Sequence, residues 1–320
     1  MANKKKRVDI VCIQIDNVLD GCVPPSFPDL FKLLDGAEIS QDGKQYEFRS
    51  LETKIAQCII GIVETTQDKD IPPIKNKQTK KFSPVQIDTN TEGLAFANIF
   101  LFDTSLNVLI YEVNRNGCYL QSFIELLEQK WMEQHVDNEI HIRIGAVCRL
   151  DEYYRLLRIH NYRKISYEIC CPSEVLRVVR QQEESLSKSL LESQLAAADS
   201  NGVNIISIEQ KCMPVNINRD GMQAGFVHEF AGLFNSLLGA GQRCNIKKFI
   251  VHGYTLDPES EKQRTTTINL LADVFDEYII IPEVKVQSSL QVLERKTSIE
   301  ALYCRVHDEL TSIIHSTKKI

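Results

Sequence analysis

Residues 94–102, LAFANIFLF, constrain this chain more than any other stretch. Side chains of a strand alternate between its two faces. Here one face carries Ala95, Ala97, Ile99 and Leu101, and the other Phe96, Asn98, Phe100 and Phe102. A strand apolar on both sides has to be covered on both sides, which predicts a central strand with material packed above and below it. A polar break at 103–105 and a second apolar run over 106–113 predict a partner strand. The NRNG segment at 114–117 supplies residues that tolerate positive φ at a turn. From Ser122 the spacing becomes helical, with Phe123, Leu126, Leu127 and Trp131 on one face. A hairpin feeding a helix is therefore the clearest organised unit in the sequence.

The rest of the chain is read around that unit. Upstream, 8–15 reads as an internal strand, 30–34 as a short helix ended by Gly36, and 45–48 and 55–63 as strands. Downstream, 140–144 reads as a half-buried strand, 151–157 as a helix opened by acids, and 165–170 as a strand ended by Pro172. Strands and helices mixed in this way predict an α+β (mixed α/β) fold, with a sheet-containing N-terminal domain over 1–172. Val175, Val179, Leu186, Leu190 and Ala197 fall near one stripe, so 173–197 reads as one long helix capped by Ser173. Its polar RQQEES stretch suggests a bridge between domains or a homodimer contact. Residues 173–200 are thus expected to connect to a smaller C-terminal α/β domain over 201–320. That domain is expected to hold strands at 203–206, 246–252 and 278–281, a helix at 226–238 and an apolar segment at 268–274. Its final helix, capped by Thr297 or Ser298, carries Ile299, Leu302, Val306, Leu310 and Ile313 and should pack them on that domain's sheet.

Composition narrows the classes of function. At 320 residues, 43% apolar and 25% charged, the chain has enough material for a core without disulfides or metals. The ten cysteines form no CxxC pair, which predicts reduced thiols in a reducing compartment. The start MANKKKR–VDIVCIQI resembles a signal peptide only in its basic head, because Asp9 and Asp16 interrupt the apolar part. No stretch reaches the ~20 apolar residues that span a bilayer, so no membrane insertion is expected and the location reads as cytoplasmic. A net charge of −6 means that any surface for nucleic acid has to be local. The run KDIPPIKNKQTKKFSP is such a place, a proline-bearing surface loop with Lys69, Lys75, Lys77, Lys80 and Lys81. Those lysines, with Arg115 as a possible neighbour, are the candidate contacts for DNA, RNA or an acidic protein partner.

Catalytic patterns are weak. HEFAG at 228–232 begins like a zinc-protease motif, but Gly232 stands where the second histidine belongs, so His228 reads as structural. LGAGQRC at 238–244 follows a helical pattern instead of a strand, so it reads as a helix stop with a left-handed glycine and not as a phosphate loop. Asp257 with Glu283 and Lys285 matches the residue types of a metal-dependent nuclease, in which carboxylates hold the metal and lysine orients water. The same acid-x-Lys triplet also begins at Asp42, Glu52, Glu128, Glu209 and Glu294, so the match carries little information. No serine elbow, phosphate-loop lysine or Cys–His nucleophile pattern is present. Phe96, Phe100 and Phe102 read as core and not as a base-stacking platform. No cofactor or metal is expected.

The mid-chain segment EGLAFANIFLFDTSLNVLIYEVNRNG lies after Pro72–Pro73. Further on come KKFIVHGYT, INLLADVFDEYIII and a last helix with LYCRVHDEL. In these features the chain resembles uncharacterised bacterial proteins of phage-defence and mobile-element neighbourhoods, such as the DNA-associated component of Kiwa-type systems. The resemblance implies a bacterial sensor or accessory component of an antiviral defence system. Such a component would bind nucleic acid without cutting it, or a protein partner encoded nearby.

Overall fold

The computed structural model describes residues 2–17, 23–41, 43–69, 71–136, 138–147, 151–159, 161–212, 221–256, 263–271, 277–284 and 287–316. The first half runs β1 (Asn3–Asn17), α1 (Phe27–Leu34), β2 (Glu38–Gln41), β3 (Lys44–Leu51), β4 (Cys58–Gln67), β5 (Ile74–Lys75), β6 (Phe82–Ser83), β7 (Leu94–Asp103) and β8 (Val108–Glu112). Then come α2 (Leu120–Gln134), β9 (Ile140–Ala146), α3 (Asp151–Leu156), β10 (Asn161–Cys170), α4 (Pro172–Val179) and α5 (Leu186–Ser200). The last part holds β11 (Ile205–Lys211), α6 (Ala224–Gly239), a short 3₁₀ turn, β12 (Ile246–Leu256), β13 (Gln263–Asn269), β14 (Glu277–Pro282) and α7 (Val292–Ser316). The fold is α+β.

Two compact units form, and neither is continuous in sequence. One gathers Met1–Asp9, Gln14–Ile142 and Asp276–Val306; the other gathers Ile10–Ile13, Arg143–Phe275 and His307–Ile320.

The first unit is built on a sheet of order β14-β1-β8-β7-β4-β3-β2, with β9 also paired to β1. From β2 to β8 its neighbours are antiparallel, and the hairpin at 94–112 forms as its pattern predicts, with Phe100 opposite Tyr111 and Leu101 opposite Ile110. Strand β7 is central and both faces are covered. Phe100 and Phe102 pack with Phe27 and Phe31 of α1 and Phe123 of α2. On the opposite face, the Tyr303 hydroxyl of α7 donates to Asp103 Oδ2 at 2.6 Å. Gly61, across from Phe100, has no room for a side chain: a Cβ there would lie 2.5 Å from the Phe100 ring. Helix α1 is opened by a Ser26–Asp29 capping box.

In the second unit, the antiparallel sheet β11-β10-β12-β13 packs one face against helices. Helix α6 lies at its centre: Phe230 and Phe234 reach Tyr167 and Phe249 with ring centroids 4.4 to 6.3 Å apart. Gly241 ends the helical stretch with φ +81°, the left-handed stop that LGAGQRC predicts.

Several expectations are corrected. Residues 173–200 are not one connecting helix: the chain breaks between Val179 and Leu186, inside the polar RQQEES stretch. The break is stabilised by a second N-cap, Ser185, whose hydroxyl accepts from Lys188 N at 3.1 Å. Ser173 is no cap either; Pro172 opens α4 and left-handed Cys171 precedes it. Val175, Leu176, Val179, Leu191 and Leu195 are all in the second unit's core. The final helix starts at Val292, before Thr297 and Ser298, and the Ser298 hydroxyl instead accepts from Ile280 N at 2.7 Å. Through Val306 it belongs to the first unit, and β14 pairs there with β1. The reason is steric and hydrophobic: the aliphatic face of β7 and β8 needs a cover, and α7 supplies it.

Candidate polyanion-binding hairpin

The lysine-rich segment is more ordered than a plain loop. Ile74 pairs with Ser83 and Lys75 with Phe82, making a small two-stranded hairpin. Its turn is built by Asn76, whose side-chain oxygen accepts from the backbone N–H groups of Gln78 and Thr79 at 2.9 Å each. The backbone of Asn76 also bonds that of Lys80 and Lys81, and Lys80 takes a left-handed conformation, φ +60°. The lysines are thus displayed by an asparagine-built turn.

Lys69, Lys75, Lys77, Lys80 and Lys81 are all exposed. None has a carboxylate within ion-pair distance among the described residues. Elsewhere cations are commonly paired: Arg49 with Glu64, Arg143 with Glu174, Lys188 with Glu184 and Arg305 with Glu277. The hairpin also exposes apolar surface, with Phe82 at 65% and Ile74 at 54%. The Lys75 ammonium sits 5.2 Å from the centre of the Phe82 ring. Beside it lies a hollow of about 510 Å³ lined by Asp68, Ile71, Pro73, Phe82, Val85 and Ile87, among others. A second depression of about 430 Å³ shares Asp68 and Thr89 with the first and is also lined by Lys44, Lys69 and Glu92.

The hairpin brings Lys75, Lys77, Lys80 and Lys81 onto one small element, and Lys69 to the neighbouring depression. Arg115 is exposed in the 114–117 turn, where Lys44 Nζ donates to Gly117 O at 3.1 Å. No hydrogen bond, ion pair or ring contact among the described residues joins Arg115 to the hairpin lysines. Sequence reasoning missed Phe82, Ile74 and Lys44. A lone aromatic in a lysine–proline run was the available signal for Phe82; nothing local marked Lys44.

Of the nuclease alternative, Glu283 is described but Asp257 and Lys285 lie outside the described residues. Among the described residues no group of His, Cys, Asp and Glu side chains could hold a metal. His228 is bonded to the Tyr162 hydroxyl at 2.6 Å, the structural role expected of it. Burial pushes the Cys58 thiol up to about 11 and the Cys118 thiol up to about 12, away from what a nucleophile needs. Burial likewise raises the Tyr162 hydroxyl to about 12. Of the three aromatics expected in the core, Phe100 and Phe102 are buried there and Phe96 is only half-buried. Of the stripe expected to make a homodimer contact, Val175 and Val179 are buried in the second unit's core, Leu190 is half-buried against it, and Leu186 and Ala197 are exposed.

No helix is long and apolar enough to cross a membrane among the described residues. No protein-family profile and no curated protein sequence matches the chain.

Proposed function

We propose that this chain is a non-catalytic binding protein that contacts nucleic acid through the 74–83 hairpin. The observation that carries the reading is a set of exposed lysines, unpaired among the described residues, on a hairpin beside an exposed phenylalanine. Ammonium groups on such a hairpin supply phosphate contacts, whose strength comes from counterion release. Phe82 and the hollow next to it offer an apolar surface of the kind on which an unstacked base rests. With an overall charge of −6, such contact has to be made by a local basic surface, and the hairpin offers one. On the resemblance stated above, the protein would act in the cytoplasm of a bacterium, as a sensor or accessory component of a defence-type system.

The test replaces Lys75, Lys77, Lys80 and Lys81 with alanine and compares gel shifts on single- and double-stranded DNA and RNA across salt concentrations. Affinity should fall by about ten-fold or more near 50 mM salt, and the slope of log affinity against log salt should drop by about 2 to 4. Equal affinity and slope in the two proteins would end this reading. An absence of binding by the unaltered protein at low salt would end it too, and would direct the search to a protein partner.

A further inference from the structure

Strand β1 opens with Lys4, Lys5, Lys6 and Arg7, and its alternation divides them between faces. Lys4 pairs opposite Ile281 and Lys6 opposite Ile279, which are 2% and 0% exposed. Directly opposed residues of an antiparallel pair point the same way. Lys4 and Lys6 therefore extend the inward row of Val8 and Ile10, both fully buried. Lys5 and Arg7 point to the other side, where Lys5 lies 5.9 Å from the Tyr278 ring.

Lys4 is exposed and Lys6 half-buried, at the open end of the inward row, and the structure leaves space around the two. A cavity of about 290 Å³ is bounded by Lys4, Lys6, Gln287, Gln291, Arg295 and Glu283, among others. Arg295 is 3% exposed; its guanidinium is ion-paired with the buried Glu112, and its Nε donates to Leu290 O at 2.8 Å. Gln291 is 9% exposed and its amide donates to Pro282 O at 2.9 Å. Lys4 and Lys6 have no hydrogen bond or ion pair among the described residues. Burial holds the Lys6 ammonium below its ordinary range, with Glu112 opposing that shift and Lys4 and Arg295 adding to it. Cations thus outnumber carboxylates here, and the most buried carboxylate, Glu112, is already engaged by Arg295. An unpaired, half-buried ammonium such as that of Lys6 is costly unless a counter-charge enters, and exposed Lys4 stands beside it at the mouth of the cavity.

We infer that this cavity is a binding site for a small phosphate-bearing dianion, held between Lys4 and Lys6 with Arg295 behind them. Its volume sits near the lower end of small-ligand pockets, ~300 Å³, which suits a phosphate or a compact phosphomonoester. Glu283 repels an anion from its side of the cavity and so favours the lysine side. The site is separate from the hairpin and does not depend on nucleic-acid binding.

The experiment uses the full-length chain and inorganic phosphate, with chloride at matched ionic strength as the reference. Binding is read from phosphorus NMR line broadening and from the thermal midpoint. Phosphate should bind saturably, and the double variant Lys4→Gln, Lys6→Gln should weaken half-saturation by about ten-fold or more. A Lys5→Gln, Arg7→Gln variant and the hairpin quadruple-alanine variant should bind as the unaltered protein does. Because the NMR readout follows the ligand, it remains valid if removing buried charge alters stability. Equal binding by the Lys4, Lys6 variant, or an equal effect of chloride, overturns the site. An absence of phosphate binding also overturns it.

Discussion

At the scale of single residues, the tight turn after β8 depends on close approach and not on left-handed backbone. Gly117 does not have positive φ; a Cβ there would lie 2.1 Å from Asn98 Oδ1, the atom that accepts from Cys118 N. Asn98 is fully buried and also donates to Glu112 O at 2.8 Å. Gly117→Ala should therefore disturb a buried polar network and cost about 1–3 kcal/mol, read as a lower urea midpoint. The positive φ of this hairpin falls instead at Asn107, φ +53°, in the turn that Asp103 organises. Burial pushes the Asp103 carboxyl up, but hydrogen bonds from Ser105, Tyr303 and Leu106 outweigh that and hold it below its usual value. A folded-state value below the unfolded one, about 3.9, stabilises the protein above about pH 4, and this stability is lost as pH falls through the folded value. Asp103→Asn should thus be less stable than the unaltered protein near pH 7, and the gap should narrow below about pH 4 in acid titrations of the unfolding midpoint. Thiol reactivity gives a further check. Exposed Cys304 should take iodoacetamide in the native protein, while buried Cys118, raised to about 12, should react only after unfolding.

At the scale of elements, the sequence conveys type better than extent. The central hairpin, α2 and α6 follow from their apolar periods, because most residues that set the period are buried: Phe123, Leu126 and Leu127 in α2, and Phe230, Leu233 and Leu237 in α6, while Trp131 and Phe226 at the outer ends of these stripes are half-buried. The 173–200 region misleads because two helices with one break preserve an approximate stripe. The polar stretch that suggested an exposed bridge is the break itself, and Ser185 restarts the helix. Glu229 of α6 supports that restart by accepting from Ser187 N at 3.2 Å. Ser185→Ala should cost about 0.5–2 kcal/mol in denaturant titration. An effect below the range of ordinary surface substitutions, about 0.5 kcal/mol, would deny the cap that role. The 74–83 hairpin shows the opposite limit. Its strands contribute two residues each, too few for a periodic signal, so composition marks the lysines but not their pairing.

At the scale of the whole molecule, the decisive feature is that the C-terminal segment completes the N-terminal sheet. Strand β14 pairs with β1, and α7 places Tyr303 against Asp103 and Arg295 against Glu112, nearly two hundred residues earlier in the chain. A boundary drawn at residue 172 cuts through this arrangement. A fragment of residues 1–172 would expose the aliphatic face of Ile60, Ile62, Ile99, Leu101 and Ile110 and leave the Glu112 carboxylate without its arginine. It should bind a hydrophobic dye and unfold without a cooperative transition, measured by fluorescence and near-ultraviolet circular dichroism. A sharp, dye-free transition in the fragment would show that 1–172 folds by itself.

By itself the sequence determined the α+β class, the two-sided burial of the central strand, the helical faces of α2 and α6 and the local concentration of lysines. These follow from periods of two and 3.6 residues and from composition, which any short window contains. Only the tertiary structure decided which segments share a unit, that Lys4 and Lys6 line a cavity with Arg295, and that the lysines at 75–81 stand on a hairpin. Those are relations between residues far apart in the chain or within elements too short to have a period. They are set by which apolar faces remain to be covered once the local elements have formed.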